Sequence, residues 1–229
     1  MRILGVDTAT WRASVGVLID GEVVAEHSRL AGESHAVSLL PLIDEVLQRA
    51  ACSVRALDGV AVSCGPGSFT GLRIGLSVAK GMACAAGLRL VAVPTLEALA
   101  RTVADHRGVI CAVLDARKGE VYAACFESAA AGGWRRLTAD KLVTPESLLA
   151  MLPTGCTVLG DAVPVYGAFL RARLAPGVTL LPFERYAPRG GVVAAMGWKR
   201  MRMGLSAEVH RLEPVYIRPS EAEMNAASS

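Results

Sequence analysis

The 229-residue sequence has few aromatic residues and no long hydrophobic run. Aromatic residues make up 5% of the chain although 52% of it is hydrophobic, so the core must consist mainly of alanine, valine and leucine. No apolar stretch approaches the roughly 18 residues of a membrane span. The apolar start Met1–Val6 ends at Asp7, too soon for a signal peptide. We therefore expect a cytoplasmic protein without membrane contact.

The cysteines and histidines lack metal-binding spacing. The six cysteines are far apart, without a C-x-x-C pair, and the four histidines form no H-x-x-x-H or H-E-x-x-H pair. We expect no metal site and, as the default for a cytoplasmic protein, reduced and buried thiols. The net charge of +3 is too small to indicate a nucleic-acid-binding surface, so any contact with RNA is expected to be indirect.

The most distinctive segment is GPGSFTGLRIGLSVAKGMA, which begins at Gly65. It follows an apolar strand, opens with a glycine-rich turn and continues as a helix that Ser68 or Thr70 can cap. The free N–H groups and the positive dipole of such a helix start suit an anion, which makes Gly65, Gly67 and Ser68 candidate ligands. A plain tight connection between strand and helix would show the same pattern. The segment is not a Walker A loop, because no Gly-Lys-Ser/Thr follows.

The helix after this turn carries small residues at every fourth position. These are Gly71, Gly75, Ala79 and Ala83. Glycine inside a helix costs about 1 kcal/mol relative to alanine, so two glycines in one row indicate the close approach of another backbone. That backbone belongs either to the chain's own sheet or to a partner. The helix predicted over His35–Ala50 is apolar on two faces and therefore also requires two neighbours.

Strand and helix patterns occur twice along the chain. Three antiparallel strands are predicted at the start, with Asp20-Gly21 as a two-residue hairpin turn. The pattern restarts after a polar break at His106–Gly108. This break divides the chain into residues 1–106 and 107–229, the latter ending in the extended tail Glu213–Ser229. We therefore predict an α/β protein with two domains of related architecture.

Several segments together resemble the TsaB (YeaZ) family. In chain order they are MRILGVDTATWRASVGV, SHAVSLLPLIDEVL, GPGSFTGLRIGLSVAKGMA, VPTLEALA, DARKGEVYAA and EPVYIRPSEAE. The resemblance implies an actin/Hsp70-like (ASKHA) fold of two ribonuclease-H-like halves. It also implies a role in making threonylcarbamoyladenosine at position 37 of tRNA, as a non-catalytic scaffold subunit. The implied partners are a TsaD-type transferase, which this chain would activate, and a TsaE-type ATPase.

The resemblance implies that catalysis resides in TsaD. TsaD proteins carry a metal-binding H-x-x-x-H pair where this chain has Thr95 and Leu99. Neither a hydroxyl nor a hydrocarbon side chain replaces imidazole at a transition-metal site. We therefore expect neither catalytic residues nor a metal in this chain.

The fold implied by the resemblance places carboxylates in an interdomain cleft. Asp7 follows the first strand and Asp115 ends the corresponding strand of the second half, where they would suit a magnesium-bound nucleotide. Thr8 and Arg117 complete the candidate anion site. Capping of local turns by the two carboxylates is the alternative. The bulky Trp11 stands where related kinases have a glycine-containing phosphate hairpin, which disfavours tight wrapping around phosphate.

The implied interface with TsaD uses the helices His35–Ala50 and Gly71–Ala86. The predicted contact residues are His35, Leu39, Leu42, Val46, Gly71, Arg73, Gly75, Ala79 and Ala83. The same helices can pair two copies of the chain, so a homodimer is expected when the partner is absent. No tightly bound cofactor is expected, whereas ATP or ADP at the interface of the complex is a candidate. The alternatives are an ATP-dependent phosphotransferase, a peptidase of the same superfamily and a homodimeric structural protein.

Overall fold

Two mixed β-sheets with the same strand order form the framework of the computed structural model, which describes residues 1–30, 35–103, 106–128 and 133–218. The first half contains β1 (Arg2–Asp7), β2 (Arg12–Ile19), β3 (Glu22–Leu30), α1 (His35–Arg49), β4 (Gly59–Ser63), α2 (Phe69–Ala86), β5 (Arg89–Val93) and α3 (Thr95–Ala100). The rest contains β6 (Gly108–Asp115), β7 (Val121–Ser128), β8 (Trp134–Arg136), β9 (Lys141–Val143), α4 (Pro145–Met151), β10 (Thr157–Leu159), α5 (Ala162–Arg171), β11 (Thr179–Leu180) and α6 (Gly190–Arg202).

The two sheets repeat one topology. The first has the order β3-β2-β1-β4-β5, with β1, β2 and β3 antiparallel and β4 and β5 parallel to β1. The second has the order β8-β7-β6-β10-β11 with the same directions, and β9 pairs separately with β7. The predicted hairpin turn at Asp20-Gly21 is confirmed, and both residues have positive φ. Residues 219–229 of the predicted extended tail lie outside the described part of the chain.

The helices do not follow the predicted division at residue 106. The last helix, α6, packs on β1, β2 and β4 of the first sheet, where Val193 and Met196 join the core around Ile3. In the opposite direction, α3 packs on β6 and β7 of the second sheet. The ranges 1–106 and 107–229 therefore separate the two sheets but not the layers of helices, because each half receives one helix from the other.

The close packing of α6 depends on glycines in both the helix and the sheet. Gly5 and Gly16 lie opposite each other on β1 and β2, and the α6 backbone at Gly190 and Gly191 lies directly on them. A Cβ atom on Gly5 would overlap the Gly190 carbonyl oxygen. Only glycine leaves room for this approach of two backbones.

Eight of the nine predicted partner-facing residues of α1 and α2 are buried in this chain, which contradicts their prediction as contacts of a partner. Seven of them belong to the chain's own hydrophobic core or lie against Thr8: Leu39, Leu42, Val46, Gly71, Gly75, Ala79 and Ala83. The glycine row faces the end of β1, where Cβ atoms on Gly71 and Gly75 would overlap Thr8. His35 is also buried, and only Arg73 is exposed.

The expectation of reduced thiols is wrong for one pair of cysteines. Cys111 and Cys125 lie opposite each other on the antiparallel strands β6 and β7, and a disulfide joins them. Cys52, Cys64 and Cys156 are free and at least partly buried, whereas the free thiol of Cys84 is exposed on α2.

Candidate functional site

A cleft of about 760 Å³ lies between the two halves. Six segments line it: the turn after β1, the start of α1, the start of α2, the turn between β6 and β7 with the start of β7, the residue before α5, and the C-terminal part of the described chain. The repeated topology explains this position, because β1 and β6 are equivalent strands of the two sheets and both end at the cleft.

The glycine-rich turn uses its N–H groups within the protein. Gly65 N donates to Thr95 Oγ1 at 3.0 Å, and Ser68 N donates to the Ala9 carbonyl oxygen at 2.7 Å. The predicted Ser68 cap is confirmed, because Ser68 Oγ accepts from Gly71 N at 3.2 Å. A Cβ atom on Gly67 would lie 2.6 Å from the Ala9 carbonyl oxygen. The N–H groups of Gly65, Ser68 and Gly71 therefore hold neighbouring segments together and are not free for an anion.

Two of the predicted candidates, Asp7 and Thr8, are fully buried behind the cleft surface. Asp7 accepts hydrogen bonds from the Ser63 hydroxyl and from Ala9 N, while burial raises the pKa of its carboxyl. The Thr8 hydroxyl donates to the Gly71 carbonyl oxygen at 2.8 Å and so joins β1 to α2. Both residues hold the turn after β1 in place, and neither lines the cleft.

Asp115 and Arg117 do line the cleft, together with Asp161, which the sequence pattern does not single out. Asp115 Oδ1 accepts from Arg117 N at 2.9 Å, and its other oxygen pairs with the Arg117 guanidinium at 3.2 Å. Asp161 Oδ1 accepts from Asp115 N at 2.8 Å. Burial raises the pKa of Asp161 to about 7, and the neighbouring Asp115 carboxylate acts in the same direction. Two carboxyl groups thus meet at the ends of β6 and β10.

His35 lies at this cleft and not at a partner surface. Its Nε2 is 2.8 Å from the Thr10 carbonyl oxygen, so Nε2 carries a proton and donates it. The side chain is 7% exposed, and Nδ1 has no hydrogen-bond partner among the residues that the structure describes. The sequence shows a lone histidine at a helix start and contains no signal that would place it here.

Thr95 and Leu99, which the resemblance implies stand where TsaD proteins have histidines, have structural roles. Both are fully buried: the Thr95 hydroxyl holds the glycine-rich turn, and Leu99 belongs to the core of the second sheet. Among the described residues no three His, Cys, Asp or Glu side chains are placed to hold a metal ion. None of the helices within the described ranges is long and apolar enough to cross a membrane.

Comparison with known proteins identifies the family. Residues 23–157 match the family model of TsaD, the tRNA N6-adenosine threonylcarbamoyltransferase. The tRNA threonylcarbamoyladenosine biosynthesis protein TsaB of Escherichia coli is 31% identical over 227 residues, which cover 97% of this chain and 96% of that protein.

Solved structures agree with this assignment and with the predicted fold. YeaZ from Pseudomonas aeruginosa superimposes with a TM-score of 0.79 at 27% identity, covering 94% of this chain and 99% of that one. Component A of the Acidaminococcus fermentans (R)-2-hydroxyglutaryl-CoA dehydratase has a TM-score of 0.52 at 13% identity, over 88% of this chain and 99% of its own. That likeness shows the fold alone, and the predicted ASKHA architecture is confirmed. The chain belongs to the TsaB (YeaZ) family of tRNA threonylcarbamoyladenosine biosynthesis proteins.

Proposed function

We propose that this protein is a non-catalytic subunit that binds a TsaD-type transferase through the exposed faces of α1 and α2 and activates it. In this role it supports the transfer of a threonylcarbamoyl group to N6 of adenosine 37 by the partner. The observation that carries the proposal is a set of exposed apolar and small residues on the sides of α1 and α2 that face away from the core.

The exposed side of α2 has its own row of small residues. Ser77, Gly81 and Ala85 recur at intervals of four, and all three are exposed. They lie two positions after Gly75, Ala79 and Ala83 of the buried row. Apart from the adjacent helix backbone, no atom of the described residues lies within 4 Å of the place that a Cβ on Gly81 would occupy. The fold of this chain therefore does not require glycine at this position, whereas the close approach of a second helix would.

The neighbouring helix, α1, adds apolar side chains to this surface. Val37 is 74% exposed and Leu40 is 55% exposed, and Pro41 beside them is also exposed. On α2, Ile74 and Val78 are only partly buried. The two helices contact each other, so these side chains belong to neighbouring surfaces. Exposed apolar side chains on neighbouring helices are typical of protein–protein interfaces.

The purified chain alone is expected to show no threonylcarbamoyl transfer to tRNA and to hold no stoichiometric zinc or iron. The reason is that Thr95 and Leu99 are buried structural residues where imidazole ligands would be needed. A single-turnover transfer assay, run with and without TsaD, and elemental analysis of the same sample test this. Transfer by the chain alone, or one tightly bound metal per chain, would contradict the proposal.

For the remaining partners we extend the proposal by what the family resemblance implies. A TsaE-type ATPase would join the assembly to support turnover in the cytoplasm, and tRNA would be contacted mainly by other subunits. Without TsaD, the same exposed faces of α1 and α2 would pair two copies of this chain across a two-fold axis. Co-purification from cells, followed by identification of the bound chains, distinguishes these assemblies.

For nucleotide we propose weak or absent binding of Mg-ATP by the chain alone, with any ATP or ADP held at the interface of the complex. The support is that Ser68 N is already bonded to Ala9, next to the bulky Trp11. Calorimetry with Mg-ATP on the chain and on its TsaD complex is the measurement. Micromolar binding by the chain alone that is lost in Asp115→Asn would instead indicate a phosphotransferase.

A further inference from the structure

Four residues near the end of the described part of the chain, Val215–Arg218, contact both sides of the cleft. The first two bind the half that contains the first sheet, and the last binds the half that contains the second sheet. Val215 N donates to the Cys64 carbonyl oxygen at 2.7 Å, immediately before the glycine-rich turn. The two segments are so close that a Cβ atom on Gly65 would overlap the Val215 carbonyl oxygen. The first of the four residues is therefore held firmly on the first half.

The next residue, Tyr216, is bound to the start of α2. Its ring stacks on Phe69 with the centroids 5.0 Å apart, and its hydroxyl accepts from Arg73 Nε at 2.9 Å. The Arg73 guanidinium in turn lies 4.0 Å from the centre of the Phe69 ring. Three side chains thus form one stacked, hydrogen-bonded group at the mouth of the cleft.

Arg218 is bound to the other side of the cleft. Its guanidinium donates to the Ala116 carbonyl oxygen at 2.7 Å and pairs with the Glu120 carboxylate. These two residues flank the turn between β6 and β7, where Arg117 and Lys118 have positive φ values of 61° and 55°. Residues other than glycine rarely adopt a positive φ. Hydrogen bonds that hold the turn are therefore needed to maintain this backbone conformation.

We propose that Val215–Arg218 is a latch that closes the cleft by tying the start of α2 to the turn between β6 and β7. Tyr216 and Arg218 both line the cleft, so release of the latch would open the way to Asp161 and His35. The latch would thereby couple the opening and closing of the cleft to the position of α2. All of these contacts lie within this chain, so the latch does not depend on the proposed partner role.

Hydrogen exchange of the full chain, measured by mass spectrometry, tests the latch. The variant Arg218→Met removes the donors but keeps the apolar stem, and Tyr216→Phe keeps the stacking but removes the hydroxyl. We expect exchange about tenfold faster in residues 116–120, because hydrogen bonds to charged groups commonly contribute a factor of this size. A comparable increase is expected in residues 69–73, which Arg218 does not touch. Both variants should affect both segments.

Arg211→Met is the matched control, because Arg211 lies on the same C-terminal segment, is 81% exposed and pairs only with Glu208 among the described residues. It should leave both segments at the wild-type rate. Faster exchange confined to residues 116–120 would mean that Arg218 merely braces its own turn, and would overturn the proposal. An equal increase in the central strands β1 and β6 would also overturn it, because it would indicate global destabilisation.

Discussion

Gly81→Leu is expected to abolish the complex with TsaD while leaving this protein folded. The position is exposed on α2, and apart from the adjacent helix backbone no atom of the described residues lies within 4 Å of the place that its Cβ would take, so the larger side chain can extend into solvent. Leucine is also the better helix former, by about 0.7 kcal/mol. At a helix–helix contact, however, the leucine would hold the partner's backbone away. Size-exclusion chromatography with TsaD, and thermal unfolding of the same sample, measure the two effects.

Gly75→Leu is the contrasting variant on the same helix. A Cβ atom on Gly75 already overlaps the Thr8 hydroxyl, so leucine must push α2 away from the end of β1. We expect a loss of about 3 kcal/mol of folding stability, at the upper end of the usual cost of overpacking. Ala168→Leu, on the exposed side of α5, controls for a new surface leucine and should bind TsaD normally. Normal binding by Gly81→Leu would show that the partner uses another surface.

The sequence predicts the small-residue pattern of α2 but not which element each side of the helix faces. Periodicity selects residues that share one side, and both Gly75 and Gly81 belong to rows with spacing of four. Which row is buried depends on the strand against which the helix packs. That information is tertiary, since the contact at Gly75 is with Thr8, far away in the sequence. Periodicity alone therefore cannot identify the exposed row as the one that is free for a partner.

The disulfide shows the opposite case, in which the sequence carries a usable signal. Cys111 and Cys125 stand the same number of residues before and after the centre of the turn between β6 and β7. In an antiparallel hairpin such residues lie opposite each other. Pairing them requires the centre of that turn to be known to the residue, and considering the cysteines only by their distance along the chain conceals the pairing.

Only some of the residues that line the cleft can be selected from the sequence, because others reach it through contacts between distant segments. Asp115 ends a clear apolar strand and can be selected from the sequence, whereas Asp161 follows the three-residue strand β10 and resembles an ordinary turn aspartate. Its significance comes from the hydrogen bond to Asp115 N, a contact between parallel strands that are distant in sequence. Tyr216 and Arg218 reach the cleft from the C-terminal segment, whose path has no periodic pattern that could predict it.

The return of α6 to the first sheet leads to the second large expected effect. Gly5→Ala should lower the free energy of unfolding by about 3 kcal/mol, because the new methyl group would overlap the backbone of α6 at Gly190 and Ala194. In a chain of this size, that loss corresponds to a fall in Tm of about 6–12 °C. Limited proteolysis should also cut the C-terminal segment sooner, because displacement of α6 loosens everything that follows it. Thermal unfolding and a time course of digestion are the measurements.

Gly81→Ala is the matched control for this substitution. It adds the same methyl group at a glycine that has no neighbour within 4 Å. Since alanine is the better helix former, we expect a gain of about 1 kcal/mol and an unchanged digestion pattern. The opposite signs of the two glycine-to-alanine changes separate backbone contact from helix propensity. If Gly5→Ala unfolded at the wild-type temperature, α6 would not lie directly on the first sheet, and the exchange of helices between the two halves would be wrong.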